Sequence, residues 1–136
     1  MPHEKAEFDR MLAQVNLLYL GCSVLVLIDM TYIGRFWTQF EAWLSMQSPT
    51  PEGLKPTEEV GAALRCEVAC LHNAKALALD EKLRGMWADK TPGEAYAVLS
   101  QPDVVVTNEG DKTTQLRKLE KLDQLVRETL APREAQ

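Results

Sequence analysis

The stretch from Val24 to Met46, VLVLIDMTYIGRFWTQFEAWLSM, decides the fold. Val24-Leu25-Val26-Leu27-Ile28 is a short apolar run, rich in β-branched residues and without polar alternation. Such a run predicts a strand buried on both faces, the mark of a parallel sheet. Asp29 to Gly34 predicts a loop. Residues 35–47 then place Phe36, Phe40, Trp43 and Leu44 on one stripe, which predicts an amphipathic helix. Strand, loop and helix in that order form the opening of a βαβ unit, so an α/β domain with right-handed crossovers is expected.

Working outward, residues 4–19 carry Phe8, Leu12, Val15 and Tyr19 at helical spacing, and Gly21 ends that helix. Downstream, Ser48 to Pro56 holds three prolines and a glycine and predicts a surface loop, with a short helix over Thr57 to Leu64. Arg65 to His72 is the second strand. Asn73 is placed to N-cap a helix through Trp87, with Ala76, Leu79, Leu83 and Met86 inward. Thr91-Pro92-Gly93-Glu94 spells a capping box with proline at the first helical position, opening a helix that ends near Ser100. Asp103 to Thr107 is the third strand, Asn108 to Asp111 a turn, and Lys112 to Leu130 a last helix with an inner stripe of Leu116, Leu119, Leu122, Val126 and Leu130. The expected architecture is one α/β domain over residues 1–136, with a small, mostly parallel three-stranded sheet flanked by helices. Three strands make a smaller sheet than usual, so the chain is expected to be part of an α/β domain, or a domain that completes itself with a partner.

The composition narrows the function. The 136 residues are 46% hydrophobic and 26% charged, with a net charge of −5. That suits one globular domain and argues against nucleic acid as a partner, since no basic patch is present. The longest apolar run, Leu17 to Ile28, has 12 residues, where a bilayer needs roughly 20, so no membrane insertion is expected. Cys22, Cys66 and Cys70 are an odd count within apolar segments, which fits reduced core thiols and a cytoplasmic location.

Within the deciding stretch, Trp37-Thr38-Gln39-Phe40-Glu41 follows a strand and a tyrosine-containing loop. This order resembles the middle of Toll/interleukin-1 receptor (TIR)-like domains, where a Trp-Cys-x-x-Glu-like motif opens the helix after the third strand; Thr38 stands where cysteine often sits. The wording is also similar to TIR-like proteins of unicellular algae and related protists. The resemblance covers about residues 5–46 well and the later alternation loosely. It implies a flavodoxin-like fold, self-association in signalling, and, as an alternative, NAD glycohydrolase chemistry at the nicotinamide–ribose bond. It makes Glu41 the catalytic carboxylate, with Trp37, Tyr32, Asp29 and Arg35 around the substrate. NAD would be a substrate, and no cofactor is implied. The chain reads as the C-terminal portion of such a domain, without a Gly-rich phosphate loop, so a complete NAD site would need another chain. The implied partner is a second copy or another TIR-like chain.

Each of these residues has a second reading. A fixed carboxylate stabilises positive charge on a ribose, but Glu41 also suits the edge of an amphipathic helix, paired with Arg35. Trp37 lies one turn from Glu41; with Phe40 and Trp43 it lines a pocket or packs the helix on the sheet. Asp29, at the carboxyl end of a strand, is a ligand position or a turn residue. Cys66, Cys70 and His72 share a strand face, which suits the core better than zinc, so no metal is expected. The last helix packs on its own sheet or on a second copy.

Overall fold

The structure is a computed structural model that describes residues 2–131, with Leu12, Ala13 and Ile33 described through their backbone alone. Its elements run α1 (Pro2–Ala13), α2 (Asn16–Gly21), β1 (Val24–Ile28), α3 (Phe36–Ser45), β2 (Gln47–Thr50), β3 (Gly53–Pro56), β4 (Cys66–Cys70), α4 (Leu79–Trp87), α5 (Pro92–Leu99) and α6 (Glu109–Leu130), with single 3₁₀ turns at Tyr32–Gly34 and His72–Ala74. The class is α/β, as expected. The sheet is distributed differently: β1 and β4 form a parallel pair with Val24 opposite Cys66 and Ile28 opposite Cys70, while β2 and β3 form a separate antiparallel hairpin.

The expected third strand, Asp103 to Thr107, makes one parallel bridge, Arg35 with Val105. The Val105 amide donates to the Gly34 carbonyl (2.9 Å), and the Val105 carbonyl accepts from the Phe36 amide (2.8 Å). That carbonyl caps α3, whose N-terminus has no side-chain cap, so the bridge satisfies a donor that the helix itself leaves open. Lys112 holds the loop in place. Its buried Nζ donates to the carbonyls of Gln101 (2.7 Å) and Val104 (2.9 Å).

The stretch 47–56, expected as a surface loop, is the β2–β3 hairpin, and Leu54 is in the core. Its prolines are tolerated because each strand of a two-stranded hairpin is an edge, where a missing N–H breaks no central ladder. Asp123 of α6 anchors it, with Oδ1 accepting from the Leu54 amide at 2.8 Å. Gly53 sits at φ +110°, and a side chain there would run into the Asp123 carboxylate and the Arg127 guanidinium, so both the turn and the approach of α6 require glycine.

Other expectations shift locally. The first helix breaks at Gln14–Val15 into α1 and α2, and Phe8 is exposed; the Leu12 side chain of the expected stripe lies outside the described residues. Thr57 to Gly61 forms turns and residues 62–64 are irregular, in place of the expected helix over Thr57 to Leu64. The helix expected from Asn73 begins at Leu79, after Ala78 in the left-handed region, which leaves Ala76 exposed. Thr91 forms its capping box with Glu94 as written in the sequence. Helix α6 starts at Glu109, where the Asn108 side chain accepts from the Gly110 amide (2.9 Å) in place of a free turn. Leu116, Leu119, Leu122 and Val126 are buried, and Leu130 is exposed.

The core is built on α3. Phe36, Phe40, Ala42, Trp43 and Leu44 are fully buried, together with Ile28, Leu83, Trp87 and Leu99. Trp43 reconciles its indole with burial by donating Nε1–H to the Lys90 carbonyl at 2.9 Å. The parallel pair is covered on one face only. Val26 and Ile28 point into the core, but Leu25 and Leu27 on the other face are 61% and 51% exposed, contrary to the expectation of a strand buried on both faces. No described element packs over that side.

Candidate functional site

Helix α3 is amphipathic, and its less buried flank carries Trp37 and Glu41 one turn apart. Both open into the same cleft, of about 470 Å³. Its other walls are Asp9 of α1, Val15 between α1 and α2, and Asp111, Thr114, Gln115 and Lys118 from α6. The pairing of Trp37 with Glu41 expected from spacing is therefore met in space. Phe36 stacks on Phe40 and meets Trp37 edge-on (centroids 5.9 Å apart, interplanar angle 75°), which fixes the indole.

The Glu41 carboxyl is partly withdrawn from water, and burial raises its pKa above the usual carboxylate value; a hydrogen bond from Tyr19 opposes that rise. Tyr19 is itself pushed up by its burial and by the neighbouring Glu41. Tyr32 stands near the same carboxylate. Its burial and the proximity of Glu41 raise the phenol well above its ordinary range. Tyr32 is committed to the backbone, though: its hydroxyl donates to the Thr38 carbonyl (2.9 Å), and the Thr38 hydroxyl donates back to the Tyr32 carbonyl (2.9 Å). The phenol holds the loop against α3 and does not line the cleft.

Asp29 and Arg35 fall outside the cleft. Asp29 accepts from the Thr31 amide (2.9 Å) and hydroxyl (2.8 Å), a turn that keeps its carboxyl below the usual range, and Arg35 adds to this effect. Among the described ion pairs none joins Glu41 to Arg35. Of the strand cysteines, Cys66 is buried and Cys70 packs against the core with Val68, while Cys22 and His72 are exposed, His72 in the left-handed region at φ +53°. Among the described residues no group of three or more His, Cys, Asp or Glu side chains is placed to hold a metal ion, and no helix is long and apolar enough to cross a membrane.

Sequence reasoning missed Tyr19, which stands in an apolar stripe and reads there as core. It also missed the contributions of α6, distant in sequence. Among the described residues, three carboxylates (Asp9, Glu41 and Asp111) and one lysine (Lys118) border the cleft. That balance favours a cationic group and gives a diphosphate little to hold. Compared with known proteins, the chain matches no family model, no curated protein and no solved structure.

Proposed function

We propose that this chain is a cytoplasmic, TIR-like self-association module that covers the open face of β1–β4 with a second copy or another TIR-like chain. The observation that carries this reading is the exposure of Leu25 and Leu27 on a parallel strand pair. Parallel strands are ordinarily covered on both faces, and a row of leucines in water is a docking surface. In this reading Asp103 to Thr107 supplies the third strand of a flavodoxin-like sheet, for which the parallel bridge at Val105 is the support. The test is sedimentation velocity from low to high micromolar chain. Reversible association is expected, weakened by Leu25→Glu together with Leu27→Glu at unchanged circular dichroism. A chain that stays monomeric at every concentration ends the reading.

The cleft supports a second reading, NAD glycohydrolysis. The C1′–N bond to nicotinamide would break with its electron pair leaving on nicotinamide, and water would add to C1′. Glu41 would stabilise the cationic ribose and Trp37 would wall the ring from solvent. With Lys118 the one cation among the described residues of the cleft, the diphosphate would need groups from another chain. Asp29, Arg35 and Tyr32 would then hold the loop beside the substrate. Thermal unfolding with and without millimolar NAD, read together with released nicotinamide, tests this. Stabilisation and turnover that Glu41→Gln abolishes are expected; neither effect, even at concentrations where the chain associates, rejects the reading.

A further inference from the structure

The cleft that holds Trp37 and Glu41 has a polar wall that selects among the substrates its chemistry allows. Its carboxylates come from three separate elements, Asp9 of α1, Glu41 of α3 and Asp111 of α6, against Lys118 as the one cation among the described residues of the wall. Among the described ion pairs none involves any of these four groups. Lys5 and Arg10 of α1 and Arg117 and Lys121 of α6 stand on the same helices but are not among the described residues of the wall. The Thr114 hydroxyl donates to the Gly110 carbonyl (2.8 Å), so its oxygen has only acceptor capacity left. The Gln115 Oε1 is taken by Asn16 (3.3 Å), and that amide keeps its donors. The wall therefore offers mainly negative charge and acceptors. Trp37, half-buried and met edge-on by Phe36, adds an indole ring, whose face attracts cations.

We propose that the substrate of this cleft is a cationic N-ribosylpyridinium that carries no phosphate, such as nicotinamide riboside, in place of a dinucleotide. This rests on the glycohydrolase reading and names its substrate class. The pyridinium lies against Trp37 with its positive charge among the carboxylates, and the ribose hydroxyls find acceptors in those carboxylates and Thr114. A diphosphate brings negative charge and acceptor oxygens to a wall already of that kind, and like charges brought together are costly. A cleft of about 470 Å³ stands in the lower half of the range of small-molecule sites, roughly 300–1,000 Å³, which suits a nucleoside. With no diphosphate to hold, one copy of the chain supplies the whole site. The reaction balances with water alone. The C1′–N bond breaks with its electron pair passing to the ring nitrogen, so nicotinamide leaves neutral. Glu41 stabilises the cationic C1′, a water oxygen bonds to it to give ribose, and the spare proton of that water passes to solvent.

The experiment gives the full-length chain either nicotinamide riboside or NAD, from low to high micromolar chain, and reads released nicotinamide. The riboside is expected to be cleaved with a kcat/KM at least about tenfold above that of NAD, at a rate per chain independent of chain concentration, and Glu41→Gln abolishes it. Asp9→Asn with Asp111→Asn, at two exposed positions, lowers the preference for riboside over NAD by about tenfold at unchanged circular dichroism. Binding is read apart from turnover with the N-methylated nicotinamide cation, which has no ribose to lose, against neutral nicotinamide. Trp43 and Trp87 are fully buried, so saturable fluorescence quenching reports Trp37; it is expected with the cation and not with the neutral amide. NAD cleaved as well as the riboside, a preference unchanged in the double variant, or equal saturation by neutral nicotinamide overturns the substrate class and leaves the glycohydrolase reading standing. Cleavage of neither substrate overturns both.

Discussion

Helix α3 and strand β1 are both apolar and adjacent in the chain, yet they end in opposite circumstances. Around the inner face of α3, α2 and α5 pack closely, and Phe40, Trp43 and Leu44 have no contact with solvent. Around β1, the described residues cover Val26 and Ile28 and leave Leu25 and Leu27 exposed beside Glu67 and Ala69 of β4. Apolar composition therefore sets the demand for burial, and connectivity decides which part of that demand a single chain meets. The unmet part is where a partner gains most, because covering it costs no rearrangement of the folded core.

The comparison is sharpened by mutation. The largest effect belongs to Trp43→Ala, which removes a fully buried indole and its bond to Lys90; a loss of about 3–5 kcal/mol is expected in urea unfolding. Next come two neighbours on one strand. Ile28→Ala, on the covered face, should cost about 2–5 kcal/mol, while Leu27→Ala, on the open face, should change the dilute chain by less than about 0.5 kcal/mol and weaken association. Equal costs at the two positions would break the contrast and remove the ground for a partner.

Thr91→Ala tests a feature that depends on neither region. Loss of the capping box with Glu94 should lower stability by about 1 kcal/mol, without effect on association.

The smallest effect is a pH dependence at the cleft. The Glu41 pKa is raised by burial above its ordinary 4.5, so the folded state holds the proton longer than the unfolded one. Below pH 4.5 both states are protonated and the group contributes no penalty. As pH rises through the window up to the raised folded value, the unfolded chain ionises first and the folded state loses stability relative to it. Glu41→Gln keeps an acceptor for Tyr19 and removes that loss. Thermal melts should show the variant gaining on the parent across this window, with the gap constant above it. Parallel curves would mean that Glu41 is as solvated as any surface carboxylate.

The contrast also shows what was legible beforehand. The α3 stripe, the α6 stripe from Leu116 to Val126 and the capping box could be read because each is a local pattern judged within a few turns. The Trp37–Glu41 pair could be read for the same reason. The hairpin could not, since the cost of Pro49, Pro51 and Pro56 depends on whether their missing N–H groups face a neighbouring strand. The rest of the cleft could not either, because Asp9, Tyr19, Asp111 and Lys118 meet Glu41 only after α6 crosses the N-terminal helices.

The sequence by itself determined the succession of β1 and α3, the inner faces of α3 and of α6 from Leu116 to Val126, and the adjacency of Trp37 to Glu41, because periodicity and capping are properties of neighbouring residues. Tertiary structure alone decided that 47–56 folds as a hairpin against Asp123, that Val105 caps α3, that Glu41 is drawn out of water, and that Leu25 and Leu27 stay exposed. Whether a group is buried or paired depends on what the distant chain brings to it, and no local pattern carries that information.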